Sequence, residues 1–450
     1  MTKNQIIGLK IDSVTLSGYG VARFDGMAVF VLNTCPGEEI EAKVLSVKKN
    51  YAYAKVMRYL TSSPFRALPT CPVFTKCGGC VFQHMDYKAE CALKDENIKQ
   101  TIRRIGGVEP IFEPFTGSDC DLRYRNKAQY PVREEDGEIV TGFYAFHSHR
   151  VVKCTDCVLQ PSEFREITDC VVDFCEKTGI TAYNETTFSG TLRHIYLRKG
   201  VNTGEIMVCL VINSDNIKNS GELTERLLKI NKNIASIVLN INKDKTNVIL
   251  GKRCKTIFGK GYIEDTLCGK RFRISPLSFY QVNNPQAQRL YEKAAEYAAL
   301  TKDKTLLDLY CGVGTIGLTM ADRAKLLYGV EVVPEAVENA ITNAKINNIE
   351  NAEFICADAA KAAAQLKKKG VKPDVIIIDP PRKGCDEALI KTISELSPER
   401  VVYVSCEVAT LARDLKRFSA LSYECERCQG FDLFPKTGNT ECVALIKKRA

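Results

Sequence analysis

The feature that most constrains the fold of this chain is an alternation of short apolar runs with helical segments from residue 267 onward. Amphipathic stretches such as Pro334–Asn347 and Asp386–Leu396 separate runs that have the length and composition of buried strands. Strands that alternate with helices in this way form a parallel sheet with helices on both faces. This half of the chain is therefore predicted to have an α/β fold. The five predicted strands are Thr305–Tyr310, Leu326–Val330, Glu353–Cys356, Val375–Ile378 and Val401–Val404.

Two further regions precede this half, so we divide the chain into domains 1–60, 61–266 and 267–450. The first is predicted to be a small β-barrel, because short alternating runs are bounded by turn signals such as Pro36-Gly37. Its mixture of tyrosines and basic residues suits RNA binding, with a purely structural barrel as the alternative. Those tyrosines are Tyr19, Tyr51, Tyr53 and Tyr59. The second region mixes strand-like runs with a helix over Asp86–Ile105, which predicts a mixed α+β central domain.

Composition excludes several classes of protein. No apolar run approaches the roughly 18 residues of a membrane span, and the N-terminus lacks the layout of a signal peptide. We therefore expect a globular cytoplasmic protein with no membrane partner. The net charge of +9 over 450 residues is a modest basic excess, which is compatible with a nucleic-acid partner. With 20 cysteines and 4 histidines, any metal site must use thiolates.

A glycine-rich loop follows the first strand of the predicted sheet. Gly312, Gly314 and Gly317 match the G-x-G-x-x-G pattern that is typical of nucleotide-binding folds. Glu331, at the end of the next strand, can accept hydrogen bonds from ribose hydroxyls. Asp308 lies just before the glycines, where a carboxylate can face a cationic cofactor, whereas NAD would bring an anionic pyrophosphate to this turn. S-adenosylmethionine is therefore favoured, with an NAD-linked iron–sulfur oxidoreductase as the alternative.

Further polar residues stand at the ends of the later strands. Asp379-Pro380-Pro381-Arg382 follows the fourth strand, and Cys406 follows the fifth directly. Ligands bind at the carboxyl ends of the strands in open α/β sheets. Cys406 is a candidate nucleophile if a helix N-terminus or a cationic neighbour favours its thiolate, and a buried structural cysteine is the alternative. Glu441 begins a final apolar strand and could act as a base in the same cleft, and Asp358 could reach an adenine ring.

Together these motifs resemble the RumA/TrmA family of RNA uracil-5-methyltransferases. The resemblance is carried by Ser405–Asp414, Asp379–Gly384, Phe279–Asn283 and the tail from Phe434 to Glu441, while Gly18–Arg23 is similar to the start of the RNA-binding TRAM barrel. It covers essentially the whole chain. The resemblance implies three parts, namely a small OB-like TRAM barrel, a central iron–sulfur domain and a Rossmann-like methyltransferase domain that uses S-adenosylmethionine.

The resemblance also implies a role for individual residues. Cys406 takes the place of the nucleophile that adds to C6 of uracil, and Glu441 takes the place of the base that removes the C5 proton. The positions that match S-adenosylmethionine contacts are Gln281, Tyr310, Glu331 and Asp379. One departure is visible, because the family tail often has His two residues before the Glu and this chain has Asn439. A proton relay through that neighbour is therefore not expected.

A cysteine cluster in the central region is compatible with two alternative metal sites. Cys71, Cys77 and Cys80 form a C-x5-C-x2-C motif, and Cys154 and Cys157 follow with CxxC spacing. On spacing alone, zinc could bind the two CxxC pairs, Cys77, Cys80, Cys154 and Cys157. A [4Fe–4S] cluster would instead bind Cys71, Cys77, Cys80 and Cys157. The spacing leaves both open, and the resemblance implies the cluster. Methyl transfer needs no redox step, so a structural or RNA-positioning role is expected.

The expected substrate is RNA, and 23S ribosomal RNA is favoured because the barrel and the cluster together resemble the ribosomal branch of the family. Transfer RNA, at its T-loop uridine, is the alternative within the enzyme class. A catalytically idle RNA-binding protein is the alternative outside it. C5 and C6 of uracil are stacked inside a helix, so the target uridine must be flipped out, which favours loop RNA. No obligate protein partner is implied.

Overall fold

The N-terminal part of the chain forms a six-stranded sheet in a computed structural model that describes residues 1–449. Its strands are β1 (Ile6–Lys10), β2 (Ser13–Val14), β3 (Tyr19–Phe24), β4 (Met27–Leu32), β5 (Glu39–Val47) and β6 (Tyr51–Tyr59). They are arranged in the order β1-β5-β6-β4-β3-β2. Alternate residues such as Ala22, Val31, Ala42 and Ala54 pack into a single core that the sheet encloses. The predicted small barrel is confirmed.

A second sheet, of seven strands, forms the centre of the molecule. In chain order the next elements are α1 (Tyr87–Thr101), β7 (Ile111–Phe112), β8 (Lys127–Glu135), β9 (Glu138–Tyr144), β10 (Val151–Lys153), α2 (Glu163–Thr178), β11 (Leu192–Lys199), β12 (Ile206–Ile212), α3 (Ser220–Ile230), β13 (Ile234–Ile241) and β14 (Arg253–Gly259). The strand order is β10-β9-β8-β11-β12-β13-β14. Helices α2 and α3 cover one face of this sheet. The opposite face, including Tyr196 and Met207, packs into a core shared with the C-terminal half.

The third sheet is the predicted parallel sheet. Its elements, with the hairpin that precedes it, are β15 (Ile263–Leu267), β16 (Lys270–Ile274), α4 (Asn284–Ala298), β17 (Thr305–Leu309), α5 (Thr315–Met320), β18 (Leu326–Glu331), α6 (Pro334–Ile346), β19 (Ala352–Cys356), α7 (Ala359–Lys368), β20 (Val375–Ile378), α8 (Glu387–Leu396), β21 (Arg400–Ser405), α9 (Val408–Ser419), β22 (Tyr423–Phe431) and β23 (Glu441–Lys448). The order is β19-β18-β17-β20-β21-β23-β22-β7, and the first five strands are parallel. Apolar cores on both faces confirm that helices cover the sheet on two sides.

Two features of the structure differ from the domain boundaries that the sequence suggested. The boundary between residues 266 and 267 falls inside the hairpin formed by β15 and β16. The segment with α1 and β7 lies within the predicted central region, but β7 pairs in parallel with β22 of the third sheet. Helix α1 ends in a π-helical turn, Ile102–Gly106, that packs against α9. The central region therefore contributes elements to the C-terminal half.

The C-terminal tail before β23 contacts both earlier regions. A Cβ atom on Gly438 would lie 1.9 Å from the Leu16 carbonyl oxygen, so only glycine fits where the barrel meets the tail. The fully buried Lys94 of α1 donates hydrogen bonds to Asp432 and Glu90, at 2.9 and 2.7 Å. These buried contacts fix the tail that leads to Glu441.

Within residues 1–449, no helix has the length and apolar character needed to cross a membrane.

Candidate active site

Three of the predicted site residues meet at one edge of the parallel sheet. Asp379 is the first residue after β20, Cys406 is the first after β21, and Glu441 begins β23. Strands β21 and β23 are antiparallel neighbours, with Ser405 opposite Cys442, so Cys406 and Glu441 lie side by side at the same edge. The edge is the one at which open α/β sheets bind their ligands.

The thiol of Cys406 is not activated by the surrounding protein alone. Its pKa is raised to about 11, chiefly by burial and in part by the charges of Glu441 and Asp379, while Arg382 acts in the opposite direction. The side chain is half-buried. Helix α9 begins two residues later, at Val408, so its N-terminus follows the thiol closely in the chain. The thiol therefore needs a nearby positive charge or a base before it can react.

The two neighbouring carboxyl groups have raised proton affinities. Glu441 is only 4% exposed, and burial raises its pKa well above the ordinary value, with a further increase from Asp379 and an opposing effect of Arg382. Burial raises the pKa of Asp379 to about 7. A carboxyl group with a raised pKa holds a proton strongly, which is the property that a general base requires. A solvated Glu at the start of a strand would lack this property.

Arg382 is a charged residue of the site to which the sequence analysis assigned no role. Its Nη2 donates a hydrogen bond to Oδ1 of Asn439 at 3.2 Å, and its main-chain oxygen accepts one from Thr410 at 3.1 Å. Asn439 stands where the family often has His. In this chain the side chain at that position accepts a hydrogen bond from Arg382. The sequence could have indicated this role, because Arg382 ends the polar segment Asp379–Arg382 that directly follows a strand.

Asp414 fixes the loop that carries Arg382, and its role was also missed. One carboxylate oxygen accepts the main-chain N–H of Cys385 at 2.8 Å and the hydroxyl of Tyr403 at 2.9 Å. The other accepts hydrogen bonds from Arg413 and Arg417. Asp414 is completely buried on helix α9, which begins two residues after Cys406. It therefore ties the loop, the strand and the helix of the site to one anchor.

The glycine-rich loop lies at the same edge, and a buried carboxylate stands behind it. Oδ2 of Asp308 accepts the main-chain N–H of Gly317 at 2.9 Å, and a Cβ atom on that glycine would come within 2.7 Å of the same oxygen. Oδ1 is buried and has no hydrogen-bond partner within the described residues. Burial raises the pKa of Asp308 to about 8, and Asp379 and Glu331 add to the increase. An unpartnered carboxylate oxygen fits a cationic ligand better than an anionic one.

Glu331 and Tyr310 lie next to the glycine-rich loop, where a nucleoside could bind. Glu331 accepts the main-chain N–H of Gly312 at 3.1 Å, so its carboxylate is held against the loop. Tyr310, directly after β17, has a left-handed backbone conformation with φ of 66°. Asp358 is exposed and caps α7 through the main-chain N–H of Lys361, at 3.2 Å.

Gln281 lies on the opposite side, where the central domain meets helix α4. Its main-chain oxygen accepts a hydrogen bond from the side chain of Asn126 at 3.0 Å. Next to it, the hydroxyl of the buried Tyr291 is 3.2 Å from Oγ1 of Thr315. Burial raises the pKa of Tyr291, and the charge of Asp379 acts in the same direction. Tyr310 and Asp379 follow neighbouring strands of the sheet, and Glu331 is hydrogen-bonded to the glycine-rich loop between Tyr310 and α5.

The cysteine motif forms a separate cavity of about 300 Å³. Its walls include all five cysteines of the motif, Cys71, Cys77, Cys80, Cys154 and Cys157. The cavity also reaches Arg125, Lys127 and, beside the active site, Thr437 and Asn439. None of the twenty cysteines of the chain forms a disulfide bond. The two predicted sites are therefore neighbours that share one wall.

The thiols in this cavity affect one another. Burial raises the pKa of Cys80 to about 12, and the nearby thiols of Cys157 and Cys77 add to the increase. Burial likewise raises the pKa of Cys157 to about 11. The main-chain N–H of Gly79 donates to Sγ of Cys77 at 3.3 Å, and the amide of Gln83 donates to Sγ of Cys80 at 3.7 Å. Donors directed at sulfur fit thiolates that bind a metal centre.

No single-ion site is formed by these thiols. Across residues 1–449, no three His, Cys, Asp or Glu side chains come close enough together to share one metal ion. A zinc ion would require thiolates about 2.3 Å from a common centre. The five cysteines line one cavity without forming such a site, so the described residues show neither a zinc site nor a [4Fe–4S] cluster there.

Comparison with known proteins gives a consistent family assignment. A model of the tRNA (uracil-5-)-methyltransferase family matches residues 87–449, and a model of the TRAM domain matches residues 2–57. An uncharacterized RNA methyltransferase of Halalkalibacterium halodurans is 44% identical over 448 residues, covering 99% of this chain and 98% of that protein. Another, of Clostridium tetani, is 39% identical over 444 residues, covering 99% and 96%.

One solved structure matches almost the whole chain. It is the Pyrococcus abyssi tRNA (uracil-54, C5)-methyltransferase in complex with S-adenosyl-L-homocysteine. The TM-score is 0.78 at 28% sequence identity, and the match covers 98% of this chain and 100% of the other. The barrel, the central domain and the C-terminal half are thus arranged in both proteins in a similar way.

Proposed function

We propose a mechanism and a substrate for this chain from one premise: it belongs to the tRNA (uracil-5-)-methyltransferase family and is an S-adenosylmethionine-dependent RNA uracil-5-methyltransferase. The proposed substrate is a uridine of 23S ribosomal RNA, and the proposed intermediate is a covalent bond between Cys406 and C6 of uracil. The observation that supports this mechanism is the meeting of Cys406, Glu441 and Asp379 at one sheet edge.

Cys406 is proposed to make C5 of uracil nucleophilic. Its thiolate forms a bond to C6, and the electrons of the C5–C6 double bond move to give an enolate at the C4 oxygen. Arg382 supports this step, because its charge lowers the pKa of the thiol. Bound S-adenosylmethionine supplies an electrophilic methyl group on a positively charged sulfur. C5 attacks that methyl carbon, and the sulfur leaves as a neutral thioether.

Glu441 is proposed to complete the reaction. After methyl transfer, C5 carries both the new methyl group and its original proton. The carboxylate of Glu441 removes that proton, the C5–C6 double bond forms again, and the bond from C6 to Cys406 breaks. The raised proton affinity of Glu441 suits this step, since the buried carboxyl group is stable once it is protonated.

The methyl donor is proposed to bind between the glycine-rich loop and Gln281. The unpartnered oxygen of Asp308 and the carboxyl group of Asp379 give this cleft a negative character that suits a sulfonium ion. Glu331 is the proposed acceptor for ribose hydroxyls, and Tyr310 is the proposed neighbour of the adenosyl group. These roles follow the resemblance to the family.

The cysteine cavity is proposed to hold a [4Fe–4S] cluster on Cys71, Cys77, Cys80 and Cys157. All four of these thiols line one cavity, and the choice of a cluster over zinc follows the resemblance to the family. Cys154 lines the same cavity and is the spare cysteine in this proposal. The cluster would hold the segment around Cys77 beside the active-site tail, a structural role that needs no change of oxidation state.

A uridine in transfer RNA is the second candidate substrate. It is favoured by the structural match to an archaeal enzyme that methylates uracil 54 of transfer RNA. The preference for ribosomal RNA rests on the resemblance of the barrel and the cysteine motif to the ribosomal branch. A ribosomal RNA substrate implies a cytoplasmic enzyme.

Transfer of labelled methyl groups tests the proposal. The chain is incubated with labelled S-adenosylmethionine and with separate pools of unmodified ribosomal RNA and transfer RNA, and the product nucleosides are identified. We expect 5-methyluridine in the ribosomal pool. Label in the transfer RNA pool alone would overturn the proposed substrate, and label in neither pool, with RNA and donor bound, would favour an idle RNA-binding protein.

A further inference from the structure

The tail that carries Glu441 contains one residue with a strained backbone. Lys436 has a φ of 66°, in the left-handed region that residues other than glycine rarely adopt. It is also buried, with only 6% of its surface exposed. Such a conformation persists only where the surrounding contacts hold it, and it is frequent at functional sites. The contacts of Lys436 therefore determine where the rest of the tail lies.

Glu90 of helix α1 holds Lys436 from one side. Its Oε1 accepts the main-chain N–H of Lys436 at 2.7 Å, and its Oε2 lies 3.6 Å from Nζ of the same lysine. Glu90 is completely buried, and Lys94 fixes it by donating a hydrogen bond to Oε1 at 2.7 Å. One carboxylate thus binds both the main chain and the side chain of the strained residue.

The segment that follows Cys80 holds Lys436 from the other side. The main-chain oxygen of Lys436 accepts the N–H groups of Val81 at 2.9 Å and Phe82 at 3.2 Å. The preceding carbonyl, of Pro435, accepts the hydroxyl of Tyr124 at 3.0 Å. The peptide groups on both sides of Lys436 are therefore fixed, and its φ follows from these contacts and not from the preference of lysine.

The tail leads from Lys436 directly to the reacting groups. The hydroxyl of Thr437 accepts the main-chain N–H of Asn439 at 3.3 Å, and Asn439 accepts a hydrogen bond from Arg382 at 3.2 Å. Glu441 then begins β23. A change of φ at Lys436 turns the chain that follows it, so it would displace Asn439 and Glu441 together.

We propose that Glu90 is a positioning residue for the removal of the C5 proton, because it keeps Lys436 in the left-handed conformation from which the tail presents Glu441. This inference rests on the proposed function. Proton removal depends on the distance between the base and the proton, so a small displacement of Glu441 slows this step. Addition of Cys406 to C6 and methyl transfer come earlier and use groups on other strands, so they should be less affected.

Glycine provides a direct test, because it adopts the left-handed conformation without support. We would compare Glu90→Met, which keeps the bulk of the side chain and removes the acceptor, with two double variants of the full-length chain. These add Lys436→Gly or Lys436→Ala to Glu90→Met. Both double variants lose the same charges, and only glycine tolerates a positive φ. We would measure kcat per folded molecule on the unmodified RNA that the chain methylates, and the amount of methylated RNA–protein adduct that survives denaturing electrophoresis.

Glu90→Met should lower kcat about tenfold, because the base is no longer held in place. KM for S-adenosylmethionine should stay within about twofold, and a methylated adduct should accumulate, since proton removal becomes the slow step. The double variant with Lys436→Gly should recover to within about threefold of the wild-type kcat, whereas the one with Lys436→Ala should remain as slow as Glu90→Met. A merely structural role of Glu90 would give no adduct and no difference between glycine and alanine.

The matched control is Glu113→Met. Glu113 is another largely buried carboxylate that binds two cations, Lys293 at 2.9 Å and Arg427 at 3.3 Å, but it joins α4 to β22. Its loss should lower the free energy of unfolding while kcat per folded molecule is unchanged and no adduct forms. If Glu90→Met does not fold, Glu90→Gln takes its place in the same comparison, with a smaller effect that glycine and not alanine should again reverse.

The failure of this inference can be told apart from the failure of the proposed function. If the wild-type chain makes 5-methyluridine, and Glu90→Met has a normal kcat or the two double variants behave alike, the positioning role is wrong and the reaction stands. If Glu441→Gln gives no adduct, the proposed covalent mechanism is wrong. The difference in kcat between the two double variants then still decides whether Glu90 positions the tail.

Discussion

The active site and the cysteine cavity share a wall but differ in what surrounds their thiols. In the active site a single thiol, Cys406, is next to two carboxyl groups and one arginine. In the cavity, the thiol of Cys80 is surrounded chiefly by other thiols. Burial raises the pKa of both thiols to a similar extent, to about 11 and about 12. A buried cysteine is thus identified as a nucleophile or as a metal ligand by its neighbours, and not by its pKa.

The largest effect expected from this comparison is the loss of Cys406. Cys406→Ala should reduce methyl transfer at least about 1,000-fold, because no other group can form the bond to C6. RNA binding should change less than twofold. Cys356→Ala, at the exposed end of β19 on the same sheet edge, is the matched control and should retain full activity. Normal turnover by Cys406→Ala would contradict the assignment of Cys406 as the nucleophile.

Glu441→Gln should reduce turnover about 100- to 1,000-fold, since it keeps the shape of the side chain and removes the base. The bond from Cys406 to C6 can still form, but the C5 proton stays in place. We therefore expect a methylated RNA–protein adduct that survives denaturing electrophoresis. The adduct should be absent from the double variant with Cys406→Ala. Loss of turnover without an adduct would contradict the assignment of Glu441 as the base.

Asp414→Asn should reduce kcat by about tenfold, because the loop with Arg382 loses its anchor. The free energy of unfolding should fall by about 2 kcal/mol, since two arginines lose a fully buried partner. The matched control is Glu387→Gln, which removes another, largely exposed partner of Arg417 and should cost less than about 0.5 kcal/mol. Rates and denaturant titrations of both variants test this. Equal effects in the two variants would exclude a special role for Asp414.

The affinity for S-adenosylmethionine should increase with pH by up to about tenfold between pH 6 and pH 8.5. The pKa values of Asp379 and Asp308 are raised to about 7 and about 8, so both groups are neutral at low pH and become negative across this range. The negative form attracts the sulfonium ion. S-adenosylhomocysteine, whose sulfur is uncharged, is the control ligand and should show a weaker dependence in calorimetry. The same pH dependence for both ligands would argue against these carboxylates as partners of the sulfonium.

The smallest effect on methyl transfer is expected in the cysteine cavity. Cys157→Ser should lower the iron content of anaerobically purified protein from about four atoms per chain to less than one. Methyl transfer per folded molecule should fall by about threefold or less, because the cluster takes no part in the chemistry. Cys154→Ser is the matched control and should retain its iron. If the purified protein instead contains zinc, and both variants lose it equally, the metal site is a zinc site on the two CxxC pairs and not a cluster.

Much of the fold was predictable because its signals are local. Strands β17 to β21 were predicted to within two residues, since each is a short apolar run next to a glycine or a polar turn. Helix α1 was predicted as well, with Asp86 as its N-cap and Gly107 just after its end. The pairing of β7 with β22 was not predictable, because a two-residue strand has no periodic pattern and its partner is distant in the chain.

The site was predictable only in part, for the same reason. Cys406 and Asp379 stand directly after predicted strands, so the parallel sheet was sufficient to bring them to one edge. The roles of Arg382 and Asp414 depend on side chains that meet only after folding. The raised pKa of Cys406 was not foreseen either, because it comes from burial and from two carboxyl groups on other strands.

The contact between Leu16 and Gly438 has a consequence for how the protein is made. A ribosome synthesises the barrel first and the tail with Glu441 near the end, so the barrel leaves the ribosome before the residues of the active site have been joined to the chain. The site is closed only when the tail docks against the barrel and against Lys94. Incomplete chains that lack the tail therefore lack the sheet edge at which Cys406 and Glu441 meet.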